Sequence, residues 1–150
     1  MKKFVVVLSL FLFMVAAIQA QQKDADKAAI KNAIQTAYVD GLQNEGDAEK
    51  IDFGFHPDFV MVGVGEDGKV WKYPIANWKE SALKKKAEGK LPLKDDSKIS
   101  VKFKSIDITG NAAVVKMDYF RGGQHEYVDY ISLYKFEDGW KMVAKIFHKL

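Results

Sequence analysis

The strongest constraint on the fold is a change in hydrophobic periodicity near Lys98. Before it, apolar residues mostly recur at intervals of three and four, the spacing that places them on one face of an α-helix. After it, Ile99, Val101 and Phe103 alternate with polar residues, as they do in a β-strand with one buried face. Helical periodicity followed by a long run of strands predicts one α+β domain with a mainly antiparallel sheet.

Three helices are expected in the first part of the chain. The first has apolar residues at Ile30, Ile34 and Ala37, and a glycine at its end. An aspartate suits the start of the second helix, and a proline suits the start of the third. The expected helices run from Asp24 to Gly46, from Asp47 to about Phe53, and from Pro74 to Gly89.

The strands are separated by short turn signals. Residues 55–58 are expected to form a turn, because Pro57 disfavours helix at the residue before it. The alternation slips at Ser105 and Ile106, which indicates a β-bulge. The expected strands are residues 59–64, 70–73, 98–109, 112–120, 125–136 and 140–148.

The last strand has apolar residues on both faces. Because the faces of a strand alternate, both faces of this one are expected to be covered. One face can pack on the helices, and the other predicts a homodimer. Trp140, Met142, Ala144 and Ile146 would share one face, and Val143 and Phe147 the other.

Residues 1–20 have the pattern of a secretory signal peptide. Lys2 and Lys3 precede a run from Phe4 to Ile18 that only Ser9 interrupts, and small residues follow before Gln21. The run is short for a membrane span, which needs about 20 apolar residues. We therefore expect a periplasmic or secreted protein consisting of residues 21–150, with no membrane attachment after signal removal.

Composition excludes several classes of function. The chain has no cysteine, so disulfides and thiolate chemistry are absent. Without Lys2 and Lys3, 21 basic and 20 acidic side chains remain, and Arg121 is the single arginine. The lysines between Lys79 and Lys94 are interleaved with acidic residues. Nucleic-acid binding is therefore not expected, because it relies on clustered positive charge.

No motif indicates a cofactor or a metal. Residues 63–68 formally match GxGxxG, but the chain continues into a strand, whereas the dinucleotide motif requires a helix there. His56, His125 and His148 lack the spacing of metal ligands. The expected protein works without a cofactor and without a metal ion.

Three stretches carry a family resemblance through their order and spacing. They are Tyr38-Val39-Asp40-Gly41-Leu42 with Gly46-Asp47, then Phe55-His56-Pro57-Asp58, and Gly139-Trp140-Lys141-Met142-Val143. From about Asp24 to Leu150 the chain resembles the nuclear transport factor 2-like superfamily, which includes SnoaL-like and ketosteroid isomerase-like proteins. It looks closest to small exported bacterial members of the putative lumazine-binding family. The resemblance implies a cone-shaped, strongly curved antiparallel sheet around helices, a pocket at the open end, and commonly a dimer.

The resemblance leaves binding and catalysis both open. Isomerase-type members carry a catalytic aspartate in the stretch that here reads Phe59-Val60-Met61-Val62-Gly63, with no acid. The missing aspartate favours a domain that binds a small apolar or aromatic molecule. The alternative is a cofactor-free isomerase, dehydratase or cyclase. Its candidate acid–base residues are His56, Asp118 and Asp129.

The candidate ligand-binding residues are mostly aromatic. Aromatic rings can form the wall of a site for a flat ligand, and a few polar groups can fix its orientation. Each of these residues also has a plain alternative, as a packed core residue or a solvated surface residue. The candidates are Tyr38, Trp71, Trp78, Tyr119 and Lys145.

Overall fold

The computed structural model describes residues 21–150, so the predicted signal peptide lies outside the described residues. Two helices precede the first hairpin, a third helix follows it, and a four-stranded meander ends the domain, as predicted. Helix α1 comprises residues 21–33 with α-helical winding and Ile34–Glu45 with π-helical winding; α2 is Ala48–Gly54 and α3 is Ile75–Ala87. The strands are β1 Phe55–Val64, β2 Val70–Pro74, β3 Ile99–Thr109, β4 Ala112–Arg121, β5 Gln124–Phe136 and β6 Gly139–Lys149.

Local sequence signals account for the ends of the helices. Gly46 ends α1 with a left-handed backbone at φ 63°, a conformation that glycine adopts at little cost. The Asp47 side chain then caps α2 by accepting a hydrogen bond from the backbone N–H of Lys50 at 3.0 Å. Pro74 immediately precedes α3, as predicted.

The six strands form one curved sheet in the order β2-β1-β6-β5-β4-β3. Neighbouring strands are antiparallel except β1 and β6, which are parallel. The concave face wraps α1, and the largest fully buried side chains include Tyr38, Phe59, Ile131 and Met142. The predicted α+β cone is therefore confirmed.

Two sequence predictions about strand boundaries need correction. β1 begins at Phe55, so residues 55–58 do not form the separate turn expected from Pro57. The β1–β6 ladder is nevertheless interrupted between Phe55 and Val60, where proline has no N–H to donate. The predicted β3 bulge is present, but it falls between Phe103 and Ser105, slightly before the expected position.

The prediction for the faces of the last strand is wrong beyond Met142. Ser132 pairs with Ala144 and Leu133 with Met142, so Val143 is an extra residue in β6. Such a bulge reverses which side chains point inward on the residues that follow it. Ile146 consequently points outward and is 56% exposed.

The outer face of the sheet carries a group of exposed apolar side chains. Tyr130 pairs with Ile146 across β5 and β6, and the group continues onto β4. Each of these side chains is between 38% and 56% exposed. We call this group the outer patch: Val114, Tyr130, Tyr134 and Ile146.

Candidate functional site

The candidate site is a cavity of about 200 Å³ on the concave side of the sheet. Helices α1 and α3 form one wall, and strands β1, β4, β5 and β6 form the other. Its lining is mainly aromatic, with an amide, a guanidinium and an amine among the rings. The lining residues are Tyr38, Gln43, Met61, Trp78, Tyr119, Arg121, Tyr127, Lys145 and Phe147.

Three polar side chains meet at the base of the cavity. Tyr38 comes from the π-helical part of α1, Asp129 from β5 and Lys145 from β6. The Tyr38 hydroxyl donates to Asp129 Oδ2 at 2.9 Å, and Lys145 Nζ donates to the Tyr38 oxygen at 2.6 Å. Lys145 Nζ also lies 2.8 Å from Asp129 Oδ2. The three groups therefore form a closed triangle, which we call the Tyr–Asp–Lys triad.

The triad is buried almost completely. Asp129 is 0%, Tyr38 2% and Lys145 6% exposed. Burial raises the pKa of Tyr38 well above its ordinary value, and the negative charge of Asp129 adds to that shift. Burial lowers the pKa of Lys145, although the Asp129 carboxylate opposes part of the shift. The triad thus holds a proton donor, an acceptor and an amine within hydrogen-bonding distance of one another.

One oxygen of the triad has no hydrogen-bond partner. Both Tyr38 and Lys145 contact Asp129 Oδ2, whereas no donor among residues 21–150 reaches Asp129 Oδ1. Burial of an unpaired carboxylate oxygen costs stability, so a hydrogen-bond donor that reached Oδ1 would be favoured there.

Aromatic rings surround the Lys145 amine. Its Nζ lies 4.7 Å from the ring centroid of Tyr38 and 5.4 Å from that of Phe147. Trp78 and Tyr119 complete the group at 5.6 Å and 6.0 Å. These rings exclude water from the amine while their faces attract its positive charge.

The aromatic lining extends to the edge of the sheet. Phe147 contacts Tyr127 at 5.6 Å between ring centroids and Trp71 at 6.0 Å. Trp71 lies across the backbone of Gly63, where an added Cβ would be only 2.0 Å from the indole. Glycine at position 63 is therefore required for this position of Trp71.

Polar groups near the other end of the cavity include Arg121 and Gln43. The Arg121 guanidinium donates to Glu126 and to the Tyr119 hydroxyl, both at 3.2 Å. The Tyr119 hydroxyl donates to Gln43 Oε1 at 3.4 Å. Burial raises the pKa of Tyr119, so this hydroxyl remains protonated at neutral pH.

The structure brings together most of the candidate residues from the sequence. Tyr38, Trp78, Tyr119 and Lys145 line the cavity, and Asp129 lies behind Lys145. Trp71 is 37% exposed and reaches the site only through Phe147.

The other two acid–base candidates lie elsewhere. His56 stacks on Phe136 at 4.8 Å and lines a separate cleft of about 490 Å³. The charged groups of that cleft are largely paired with one another, as Lys79 is with Asp52 and Lys141 with Asp138. Asp118 alternates with the inward-facing Tyr119, and its carboxylate lies near Lys104 and His125 instead.

Five lining residues were not proposed from the sequence: Gln43, Met61, Arg121, Tyr127 and Phe147. Tyr127 could have been found from strand alternation, because it precedes the candidate Asp129 by two residues. Arg121 lies just beyond the expected strand 112–120, but it is the last residue of β4 and its long side chain reaches the cavity.

Two further findings concern groups of metal ligands and membrane-spanning helices. Within residues 21–150, no group of three potential histidine or carboxylate ligands could hold a metal ion. Across the same residues, no helix is both long and apolar enough to cross a membrane.

Comparison with solved structures places the fold in the nuclear transport factor 2-like class. A protein of unknown function from Shewanella baltica OS155 is 24% identical, with a TM-score of 0.62 over 84% of this chain and 94% of that chain. One from Silicibacter pomeroyi DSS-3 is 16% identical, with a TM-score of 0.67 over 85% and 98%. A protein titled a putative dehydratase, from Streptomyces avermitilis, is 18% identical, with a TM-score of 0.56 over 85% and 98%.

The profile of one sequence family matches nearly the whole domain. The family described as putative lumazine-binding matches residues 25–148, and the chain belongs to that family. No curated protein matches the chain significantly.

Proposed function

We propose that the protein is an exported domain that binds a small, flat, largely aromatic molecule in the cavity above the Tyr–Asp–Lys triad. The observation that carries the proposal is the ring of aromatic side chains around an otherwise open volume of about 200 Å³. Sites for drug-sized ligands usually measure about 300–1,000 Å³, so the ligand is expected to have one or two fused rings.

The polar groups of the cavity define what such a ligand should carry. Lys145 can donate a hydrogen bond at the base, and Arg121 and Gln43 offer polar groups toward the other end. A carbonyl or an acidic group on an aromatic ring suits these donors, whereas the ring system fits between Trp78 and Phe147. The family description is consistent with a pteridine-like ligand, since such molecules are flat and rich in carbonyl oxygens.

Binding of lumazine, measured by isothermal titration calorimetry, tests the proposal. Native mass spectrometry of protein purified under mild conditions adds a search for a copurifying molecule. Trp78→Leu removes one wall and is expected to weaken binding about tenfold or more, because buried aromatic contacts contribute on the order of 1.4 kcal/mol. Leu83→Ala changes an exposed position on the same helix and serves as the matched control.

The proposal would be wrong if lumazine and a panel of one- and two-ring carbonyl compounds all failed to bind the folded protein. It would also be wrong if Trp78→Leu and Leu83→Ala had equal effects on affinity.

The triad also supports a second candidate function, a cofactor-free isomerase, dehydratase or cyclase. Asp129 would be the general base, and it is the only one of the three predicted acid–base residues at the described cavity. The putative dehydratase among the similar structures fits this candidate only by analogy. Turnover of a bound compound that Asp129→Asn abolishes, while binding persists, would favour catalysis.

Export and self-association complete the proposed function. Export is supported by the signal-peptide pattern of residues 1–20, and the mature amino terminus from a periplasmic fraction tests it by mass spectrometry. A homodimer is supported by the outer patch, because contiguous exposed apolar groups commonly mark interfaces.

A further inference from the structure

We propose that the Lys145 amine forms an imine with a small aldehyde or ketone whose flat apolar body occupies the cavity. The inference rests on the proposed function, because the aromatic walls must first hold the carbonyl compound. It adds a covalent bond and a ligand class that reversible binding alone does not require.

The position of the amine is suited to this reaction. Lys145 is the only lysine that lines the cavity within the described part of the chain. An ammonium has three N–H donors, and Asp129 and Tyr38 are the hydrogen-bond partners found for it among residues 21–150. A donor position therefore remains for the oxygen of a bound carbonyl compound.

The amine must lose a proton before it can attack a carbonyl carbon. Burial lowers the pKa of Lys145, so deprotonation is easier than for a solvated lysine. Asp129 Oδ2, at 2.8 Å, can take that proton directly. The transfer replaces two buried charges by two neutral groups, which reduces the desolvation cost of the pair.

The imine then forms without any further reactant. The amine lone pair attacks the carbonyl carbon, and one amine proton passes to the former carbonyl oxygen, with the Tyr38 hydroxyl as carrier. Protonated Asp129 gives its proton to the resulting hydroxyl, the C–O bond breaks, and water leaves. The nitrogen lone pair forms the C=N bond, so the products are an iminium ion, a carboxylate and one water. No group is oxidised or reduced, and the positive charge again faces Asp129.

Other lysines lack this combination of features. Lys141 is also shielded from solvent, but its Nζ donates to the Phe53 carbonyl at 2.7 Å and pairs with Asp138 at 3.1 Å. Lysines such as Lys149 are exposed and do not line the cavity. Selective reaction at Lys145 is thus expected when the aldehyde is limiting.

Reductive trapping with a matched pair of probes tests the proposal. Cinnamaldehyde is incubated with the full protein and sodium cyanoborohydride, and cinnamyl alcohol provides a ligand of nearly the same shape that cannot form an imine. We expect one adduct, whose mass increase equals the aldehyde less one oxygen atom, and peptide mapping is expected to place it at Lys145. Calorimetry with cinnamyl alcohol measures reversible binding separately.

Two pairs of variants sharpen the test. Lys145→Arg keeps a positive charge beside Asp129 but is expected to lose the adduct, whereas Lys149→Arg is expected to retain it. Tyr38→Phe removes the proton carrier and is expected to slow trapping by about a hundredfold, measured at saturating cinnamaldehyde so that a change in affinity does not enter the rate. If Lys145→Arg fails to fold, peptide mapping of the unaltered protein still decides the site.

The outcomes separate the imine from the binding on which it rests. If cinnamyl alcohol binds but trapping modifies no lysine, or modifies exposed lysines as readily as Lys145, the imine is overturned and the binding function stands. If neither probe binds and no adduct forms, the imine is overturned, and the binding function is overturned with it only if lumazine and the carbonyl panel also fail to bind. A single adduct at Lys145 that excess cinnamyl alcohol suppresses supports both.

Discussion

Lys145 Nζ lies 2.8 Å from Asp129 Oδ2, and both side chains are withdrawn from solvent at the base of an aromatic cavity. A buried ion pair of this kind has little net effect on stability, because the cost of removing two charges from water offsets their attraction. Each partner instead compensates the buried charge of the other. Loss of one partner would leave the second as an uncompensated buried charge.

The first prediction concerns the loss of one partner of the Lys145–Asp129 pair. Lys145→Met should lower the free energy of unfolding by about 3–5 kcal/mol, because the Asp129 carboxylate then remains buried beside only the Tyr38 hydroxyl. The double variant Lys145→Met/Asp129→Asn removes both charges and should be the more stable of the two. Urea unfolding measures both values, and a double variant that is less stable than Lys145→Met would contradict the prediction.

The second prediction concerns the acid limit of stability. Asp26 accepts hydrogen bonds from Lys135 at 2.7 Å and from the Trp140 indole at 3.0 Å. The hydrogen bond from Lys135 is the main reason that the pKa of Asp26 lies below its ordinary value of 3.8. A lowered carboxyl pKa stabilises the fold above the pKa of the unfolded chain, and this stabilisation disappears as the pH falls through the folded-state pKa.

Asp26→Asn should therefore reduce stability by about 1–2 kcal/mol at pH 7 and by much less near pH 2. Asp24→Asn, at a largely exposed position of the same helix, is the matched control and should change stability little at either pH. Thermal unfolding followed across this pH range checks the result. An equal loss at both pH values for Asp26→Asn would show that its effect does not depend on ionisation.

The third prediction concerns the close contact between Gly63 and Trp71. A side chain at position 63 would collide with the indole, so Gly63→Val should move Trp71 away from Phe147. Loss of an aromatic contact is worth about 0.5–1.5 kcal/mol, which corresponds to roughly two- to tenfold weaker lumazine binding. Val64→Ala, at an exposed neighbouring position, should leave affinity unchanged. Acrylamide quenching should report a more accessible tryptophan in Gly63→Val alone.

The fourth prediction concerns the outer patch. Ile146→Lys places a charge at its centre, opposite Tyr130, and should convert a homodimer into monomers. Leu83→Lys, at an exposed position on α3, adds the same charge away from the sheet and should not. Sedimentation velocity at micromolar concentration distinguishes the two forms. A monomeric unaltered protein would remove the basis of this prediction.

Sequence patterns predict the fold better than the site, because the ends of the helices depend on local contacts, whereas the site depends on contacts between residues far apart in the chain. Gly46 and Asp47 act through their own turns, so their roles in ending α1 and starting α2 are readable from local sequence. The triad instead joins three elements that are far apart in the chain. Tyr38 and Asp129 are candidates by residue type and position, but nothing local shows that the Tyr38 hydroxyl donates a hydrogen bond to Asp129.

Lys145 illustrates the remaining difficulty. Simple alternation puts Trp140 and Lys145 on opposite faces of the last strand, whereas in the structure both side chains are buried on the inner side. The bulge at Val143 reverses this order, and its position depends on how β6 pairs with β5. The residues around Val143 alone do not predict how β6 pairs with β5.

The extra residue at Val143 also changes which positions of β6 point inward. From Gly139 to Met142 the even-numbered positions face the core, whereas the odd-numbered Lys145 and Phe147 face the cavity. Charged substitutions should therefore be tolerated at odd-numbered positions before the bulge and at even-numbered positions after it. Deletion of Val143 alone would remove the bulge and still leave Lys145 facing the cavity, because Met142, Ala144 and Lys145 would then follow regular alternation with their present partners on β5.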